Sequence, residues 1–406
     1  MPTERFSFTG SGGDALSARL DLPARPPKAY ALFAHCFTCG KDIKAASRIA
    51  EALTSHGYAV LRFDFTGLGA SEGEFANSNF SSNVEDLLAA AAHLKEHHRA
   101  PTLLVGHSLG GAAVLAAAGD LPEVKAVATI AAPADPAHVA RLVEPARAEI
   151  EERGEAEVKI AGRTFRIRQQ FLDDIEGQRL GERIARLRRP LVIFHAPLDE
   201  VVGIDNATGI FKAARHPKSF VSLDRADHLL SDPLDASFVA GVLAGWADRY
   251  VEPTASFTAP DPVEDGVVVE ETHAGEFQQW VVAGRHQLIA DEPLSLGGLD
   301  SGPTPYDLLT AALGTCTSMT IRMYARRKGM ALDQVRITVS HDRIHAEDCA
   351  ECEHSEGMID VFERQIRFDG DLSEAEIERL LQIADKCPVH RTLMSDNLIR
   401  TRLVSH

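Results

Sequence analysis

The chain has 406 residues, length enough for two or three domains with cores of their own. It carries 42 Lys and Arg against 59 Asp and Glu, a formal charge of −17 that repels nucleic-acid phosphates and anionic lipid surfaces, so neither is an expected partner. The opening residues lack a basic stretch followed by an apolar core, and no apolar run reaches the ~18 residues of a membrane span. The expected location is therefore the cytoplasm, where six cysteines read as thiols with redox or metal roles and not as a disulfide framework.

Residues 6–8 and 16–22 are predicted as an opening pair of strands, ended by a turn at Pro23, Pro26 and Pro27. An apolar strand over residues 30–35 runs into His35-Cys36-Phe37-Thr38-Cys39-Gly40. A helix over 45–56, a strand over 59–65 and the glycine-rich loop GLGASEG at 67–73 follow. That loop is not a phosphate cradle, because GxGxxxG is the wrong spacing for a dinucleotide fingerprint and no P-loop Lys follows. After a helix over 83–96 comes TLLVGHSLGG at 102–111, which reads as buried strand, sharp turn and alanine-rich helix.

Within it, Gly106-His107-Ser108-Leu109-Gly110 is GxSxG, a nucleophile elbow. The glycines allow a strained turn that lifts the Ser108 hydroxyl above the sheet at a helix N-terminus, where an oxyanion is stabilised. The Leu109 N–H is one expected oxyanion donor, and Phe37, in the loop after the 30–35 strand, is the candidate for the second. A strand over 191–195 leads to Asp199, and a strand over 219–223 leads to His228. Each sits just past a strand's carboxyl end, where an open α/β sheet assembles its site. His228 is expected to take the Ser108 proton and Asp199 to hold the imidazole in the right tautomer. Asp135, after a strand over 126–131, is the alternative acid, and Asp227 reads as structural.

Alternating strands and helices predict a doubly wound, mostly parallel α/β sheet, interrupted over residues 133–187 by a charged helix (144–153) and a hairpin (158–167). On GHSLGG and RFDFTGLGASEG, residues 1–250 resemble the α/β-hydrolase fold, particularly its serine esterase, lipase and S33-peptidase-like members. The resemblance implies a Ser, acid, His order along the chain and a small acyl substrate. It also makes the 133–187 insertion a cap over the pocket. A helix over 235–250 closes this domain, and the proline-punctuated stretch 251–265 is expected to be a linker.

Strands at 267–272, 277–283 and 286–290 open the remainder, followed by a long helix over 307–328. Its apolar residues Leu308, Leu309, Ala312, Leu313, Cys316, Met319, Thr320 and Met323 recur at i, i+3, i+4, which predicts Cys316 on the buried stripe. After strands at 335–341 and 358–368 and a helix at 373–386, Pro388 suits the first position of a new helix. Cys387 then stands at that helix start beside Lys386, surroundings that favour thiolate. On GPTPYDLLTAALGTC and KCPVHRTL, residues 266–406 resemble the OsmC and organic-hydroperoxide-resistance family, a smaller α+β domain.

That resemblance implies that Cys316 attacks an organic hydroperoxide, that Cys387 resolves the sulfenic acid as a disulfide, that a dithiol reductant restores both, and that the domain forms a homodimer. The hydroperoxide-resistance branch sets a Glu ahead of the helix cysteine to help position an Arg. Here Tyr306 stands in its place with Asp307 beside it, and Arg285 is the candidate Arg. A redox-sensing or binding role without turnover is the alternative. Nearer the elbow, Cys36 and Cys39 bracket Phe37. Either Cys36 packs as a small side chain, or the CxxC closes a reducible disulfide that reshapes the oxyanion loop and lowers turnover under oxidant. His345, Cys349, Cys352 and His354 have zinc-like spacing but read as a solvated loop, so no metal and no cofactor is expected.

Overall fold

A computed structural model describes residues 2–36, 39–160, 163–253, 258–273, 275–345 and 358–404. The chain forms two compact units, Met1–Ile289 with Gly297–Ser301, and Ala290–Leu296 with Gly302–His406.

The first unit runs β1 (Thr3–Thr9), β2 (Ala15–Asp21), β3 (Ala29–Ala34), α1 (Lys44–Ser55), β4 (Tyr58–Phe63), α2 (Phe80–His97), β5 (Leu103–His107), α3 (Leu109–Ala117) and β6 (Ala126–Ile130). Next come α4 (Ala140–Val143), α5 (Arg147–Arg153), β7 (Glu155–Ile160), β8 (Arg163–Arg168), α6 (Gln169–Gly177) and α7 (Leu180–Arg186). They are followed by β9 (Leu191–His195), α8 (Asp205–Ala213), β10 (Lys218–Ser222), α9 (Pro233–Ala247) and a three-stranded sheet of β11 (Val268–Glu271), β12 (Gln279–Ala283) and β13 (His286–Ala290).

Eight strands form the main sheet in the order β1-β2-β4-β3-β5-β6-β9-β10. The pairings β1/β2 and β2/β4 are antiparallel and the rest are parallel. Strands β4, β5, β6 and β9 are buried at every residue, which is why they read as continuous apolar runs without alternation. Helices α2 and α3 and the insertion between β6 and β9 share one apolar layer, while α1 and α9 pack on the opposite face. The insertion is a helix-and-hairpin excursion: β7 and β8 pair from Glu155↔Arg168 to Ile160↔Arg163, and Phe165 of β8 packs on Phe75 with ring centroids 4.9 Å apart and the rings tilted by 55°.

Arg62 is the polar exception within β4. It is 1% exposed, and its guanidinium meets Asp21 at 2.7 and 3.0 Å and also donates to the Lys41 carbonyl and to Ser47. The glycine-rich loop wraps a protein carboxylate in place of a phosphate. Asp64 accepts from Lys41 Nζ at 2.6 Å and from the Ala70 N–H at 2.9 Å, and Gly69, at φ 58°, lies so close to that carboxylate that a Cβ would overlap it.

The second unit contains α10 (Pro305–Lys328), the long antiparallel pair β14 (Ala331–His345) and β15 (Met358–Asp371), α11 (Glu374–Ala384) and α12 (Pro388–Leu393). Helix α10 opens on a Thr304/Asp307 capping box and ends on Gly329 at φ 68°. Its buried residues are Leu313, Thr317, Ile321 and Ala325, an i, i+4 row, and Ile321 and Ala325 join Leu332, Leu380 and Ala384 in a small core. The expected stripe is thus turned about the helix axis: Met319 is 65% and Met323 70% exposed, and Cys316 lies at the stripe's edge, half-buried. Two apolar rows compete on this helix, and packing against β14 and α11 selects the one carrying small and β-branched side chains.

Three strand ends in the first unit carry buried histidines: His35 after β3, His107 closing β5 and His195 closing β9. Burial lowers all three imidazole pKa values, that of His107 from 6.5 to about 4. Between those two values an unfolded chain binds protons that the folded His107 refuses, so stability falls as pH falls, by up to about 1.4 kcal/mol per pH unit for each such group. Urea unfolding at pH 7.5 and pH 5 should show a smaller acid loss in His107→Gln than in the unsubstituted protein. Equal losses would contradict the assignment.

Candidate active site

Ser108 sits between β5 and α3 with φ 55° and ψ −127°, a conformation that costs a non-glycine residue on the order of 1–3 kcal/mol. Close packing holds it there. A Cβ on Gly106 would overlap the Gly110 carbonyl, one on Gly110 would overlap the carbonyl oxygens of Ala34 and His35, and one on Gly111 would strike the Ala132 side chain. The Ser108 N–H is anchored to the Ile130 carbonyl at 2.8 Å. As a result the hydroxyl leaves the sheet and meets His228 Nε2 at 3.0 Å.

His228 Nδ1 lies 2.8 Å from Asp199 Oδ2, so the structure brings Ser108, His228 and Asp199 into one relay. The Asp199 side chain is inaccessible to solvent. Burial pushes its carboxyl pKa up, but hydrogen bonds from His228 and from the Val202 and Val201 N–H groups outweigh that and hold it below the usual carboxylate value. Asp135 stands elsewhere, accepting from the Ala137 N–H as the cap of a short 3₁₀ turn, and Asp227 caps the Ser231 N–H at 2.8 Å.

Two further histidines brace the relay, and sequence reasoning missed both. His107 Nε2–H donates to the His228 carbonyl at 2.7 Å, which places the base's own backbone. Its lowered pKa keeps this ring neutral, so it adds no positive charge beside His228. His195 Nε2–H donates to the Val202 carbonyl at 2.6 Å and fixes the turn that carries Asp199. The acid turn is also tied to the insertion, because His138 Nε2–H donates to the Val201 carbonyl at 2.9 Å. Leu198, Val201 and Leu229, which flank the acid and the base in sequence, are 74%, 49% and 50% exposed.

Leu109 occupies the first turn of α3, where helix geometry leaves an N–H without an intrahelical acceptor. Phe37 lies outside the described residues. The residues on either side of 37 and 38, Cys36 and Cys39, are joined by a disulfide with Cα atoms 5.3 Å apart.

The second unit holds the other thiol pair. Cys387 is the N-cap of α12, fully buried, and its sulfur accepts from the His390 N–H at 3.4 Å. It and Cys316 of α10 each perturb the other's ionisation. Burial raises the Cys387 pKa, but the His390 N–H, Cys316 and Thr317 outweigh it, so this thiol falls below its ordinary value. The Cys316 pKa is raised by burial and by the neighbouring Cys387. Behind them Arg364 of β15 donates to Thr317 Oγ1 at 3.2 Å and to the Ala384 carbonyl at 3.1 Å, and pairs with Asp385 at 2.6 Å. Sequence reasoning missed this Arg as well. Arg285 is exposed in the turn between β12 and β13, in the first unit, while both thiols belong to the second. Tyr306 stacks on His341 at 4.2 Å, and Asp307 serves the helix cap. Cys349, Cys352 and His354 lie outside the described residues. Among the described residues no group of three or more His, Cys, Asp or Glu is placed to hold a metal, and no helix is long and apolar enough to cross a membrane.

Residues 25–153 match the family described as serine aminopeptidase, S33, and residues 298–402 match the OsmC-like protein family. Palmitoyl-protein thioesterase ABHD10 of Mus musculus is 31% identical over 201 residues, 48% of this chain and 66% of that protein. Monoglyceride lipase of Rattus norvegicus is 33% identical over 117 residues, 28% of this chain and 38% of that one. The chain thus spans under two thirds of the length of these curated relatives. Among solved structures, the esterase domain of a Rhodothermus marinus protein shares 55% sequence identity and a TM-score of 0.52, covering 62% of this chain and 100% of its own. With the elbow, relay and sheet order already described, these matches show that the chain belongs to the α/β hydrolases, in the S33 and ABHD10-like serine esterase group, and carries a C-terminal OsmC-like domain.

Proposed function

We propose that the chain is a bifunctional enzyme: a serine hydrolase that cleaves a carboxylic ester or thioester, joined to a thiol-dependent hydroperoxide reductase. The observation that carries the first half is the unbroken Asp199–His228–Ser108 relay, with contacts of 2.8 and 3.0 Å, on a serine held in a left-handed turn. His228 Nε2 takes the hydroxyl proton as Ser108 Oγ attacks the acyl carbon. The buried Asp199 carboxylate then steadies the imidazolium. Charge arriving on the carbonyl oxygen is met by the Leu109 N–H and by a second donor assigned to Phe37. The imidazolium returns its proton to the departing alcohol or thiol, and water attacks the acyl-enzyme by the same route. Exposed Leu198, Val201 and Leu229 favour an apolar acyl chain over a charged one.

In the OsmC-like half, Cys316 attacks the distal oxygen of an organic hydroperoxide, the O–O bond breaks, and the thiol proton, relayed by Cys387, passes to the departing alkoxide. Cys316 becomes a sulfenic acid and the substrate leaves as an alcohol. Cys387 then displaces the sulfenic oxygen as water to form the disulfide, and a dithiol reductant restores both thiols by taking over the disulfide bond. The mutual effect of Cys316 and Cys387 on each other's ionisation, which lowers the Cys387 pKa, supports a paired-thiol reading.

Replacing Ser108 by Ala should abolish p-nitrophenyl ester hydrolysis and fluorophosphonate labelling and leave hydroperoxide consumption with a dithiol unchanged, while Cys316→Ser should do the reverse. Loss of both activities in either variant would refute the two-site reading. Replacing Asp199 by Asn leaves His228 in the wrong tautomer, so kcat for ester should fall by on the order of 10⁴ with little change in KM. A fall under tenfold, read by steady-state kinetics, would remove Asp199 from the relay.

A further inference from the structure

We propose that His138 is a positioning residue for the hydrolase, orienting the Asp199 carboxylate through the single peptide group that joins Val201 to Val202; this rests on the relay of Ser108, His228 and Asp199 being the hydrolytic site. Asp199 offers Oδ2 to His228 Nδ1 at 2.8 Å, and its other oxygen, Oδ1, accepts from the Val201 N–H at 2.9 Å and from the Val202 N–H at 2.8 Å. The Val202 N–H shares its peptide plane with the Val201 carbonyl, and that carbonyl accepts from His138 Nε2–H at 2.9 Å. A trans peptide is planar, with its carbonyl and its N–H pointing in opposite directions, so a grip on the oxygen aims the N–H. His138 holds one end of the group whose other end holds Asp199. Its bond also polarises the peptide, which strengthens the bond the Val202 N–H donates.

His138 is itself fixed. It lies in the 3₁₀ turn Pro136–Val139, which follows β6 and opens the insertion. Asp135 caps that turn through the Ala137 N–H at 2.9 Å, and Pro136 and Val139 are buried, the latter in the apolar layer shared with α2 and α3. A second tie runs beside the first: the Ala134 N–H donates to Asn206 Oδ1 at 3.1 Å, and Asn206 Nδ2 donates to the Gly203 carbonyl at 3.0 Å. The start of the insertion is thus fastened at two points to the loop that carries the acid, across 63 residues of chain in the case of His138. Val201 is 49% exposed, so water can satisfy its carbonyl when the imidazole is absent. A mobile water does not hold the peptide's direction, and direction is what the bond to Asp199 needs.

His138 therefore acts at a distance from the reacting atoms. What it sets is the aim of the carboxylate at His228, which matters most as the imidazole takes the Ser108 proton, so its loss falls on kcat and not on KM.

The test uses the full-length protein and p-nitrophenyl butyrate. His138→Leu, which keeps bulk and removes the donor, should lower kcat about tenfold with KM within about twofold of the unsubstituted value, far short of the ~10⁴ expected for Asp199→Asn. His138→Gln, whose amide reaches the same carbonyl, should recover kcat to within about threefold. Added to Asp199→Asn, His138→Leu should lower kcat by less than about twofold, because the two residues act in one line. An unchanged kcat in His138→Leu would overturn the proposal, as would a loss that His138→Gln does not recover, a loss confined to KM, or the same loss repeated on top of Asp199→Asn. If His138→Leu does not fold, His138→Asn, whose amide stops a methylene short of Val201, takes its place with the same expected loss. Ester hydrolysis that survives in Ser108→Ala would strike the relay itself and the proposal with it, whereas an inactive Ser108→Ala beside an unaffected His138→Leu strikes the proposal alone.

Discussion

The first unit depends on how closely α3 approaches the sheet. Three glycines, Gly106, Gly110 and Gly111, remove the side chains that would keep this helix away from β3 and β6, and only then can the chain turn through Ser108 with positive φ. The cost of that turn is met by the apolar layer around it, in which every residue of α3 is buried. Ser108 is the N-cap of α3, so one packing event aims the hydroxyl and presents the Leu109 N–H beside it. Asp199 and His228 follow β9 and β10, two and three strands from the elbow strand, and their turns are braced by neutral histidines at the ends of β9 and β5.

The two halves manage charge in different ways. In the hydrolase domain the solvent-inaccessible Asp199 carboxylate is kept ionised because three hydrogen bonds replace its water, and burial keeps the histidines around it neutral. In the OsmC-like half the two thiols are shifted in opposite directions, and a backbone N–H at a helix start helps make Cys387 the more acidic of the two. Arg364 does not touch either sulfur. It fastens Thr317 of α10 to the end of α11, while the Thr317 hydroxyl itself donates to the Leu313 carbonyl at 2.8 Å.

Much of this was legible because function in this fold is tied to strand ends. Buried parallel strands announce themselves as unbroken apolar runs, so the loops after them are easy to locate, and Ser108, Asp199 and His228 all stand in such loops. The bracing histidines carry no such mark. His107 lies inside the elbow motif at a position any residue type might fill, and His195 reads as the last residue of a strand, so their hydrogen bonds to backbone carbonyls emerge only from the folded turns. The face of α10 was misread for a related reason: two apolar rows lie side by side on that helix, and spacing alone cannot say which one β14 and α11 will cover. Arg364 is 47 residues from Thr317 along the chain, a contact made by the pairing of β14 with β15 and invisible to local pattern.

The ion pairs beneath the CxxC loop have a thermal consequence. Arg62, Asp21, Lys41 and Asp64 are each under a tenth exposed, and together they join β2 and β4 to the two loops that meet beside the elbow. Ion hydration carries a strongly negative entropy, so warming makes the water these charges surrendered less attractive, while hydrophobic association per unit area levels off. Heat therefore loosens the apolar layers sooner than it loosens this cluster. The four charged groups carry a growing share of what joins β2 and β4 as the temperature rises.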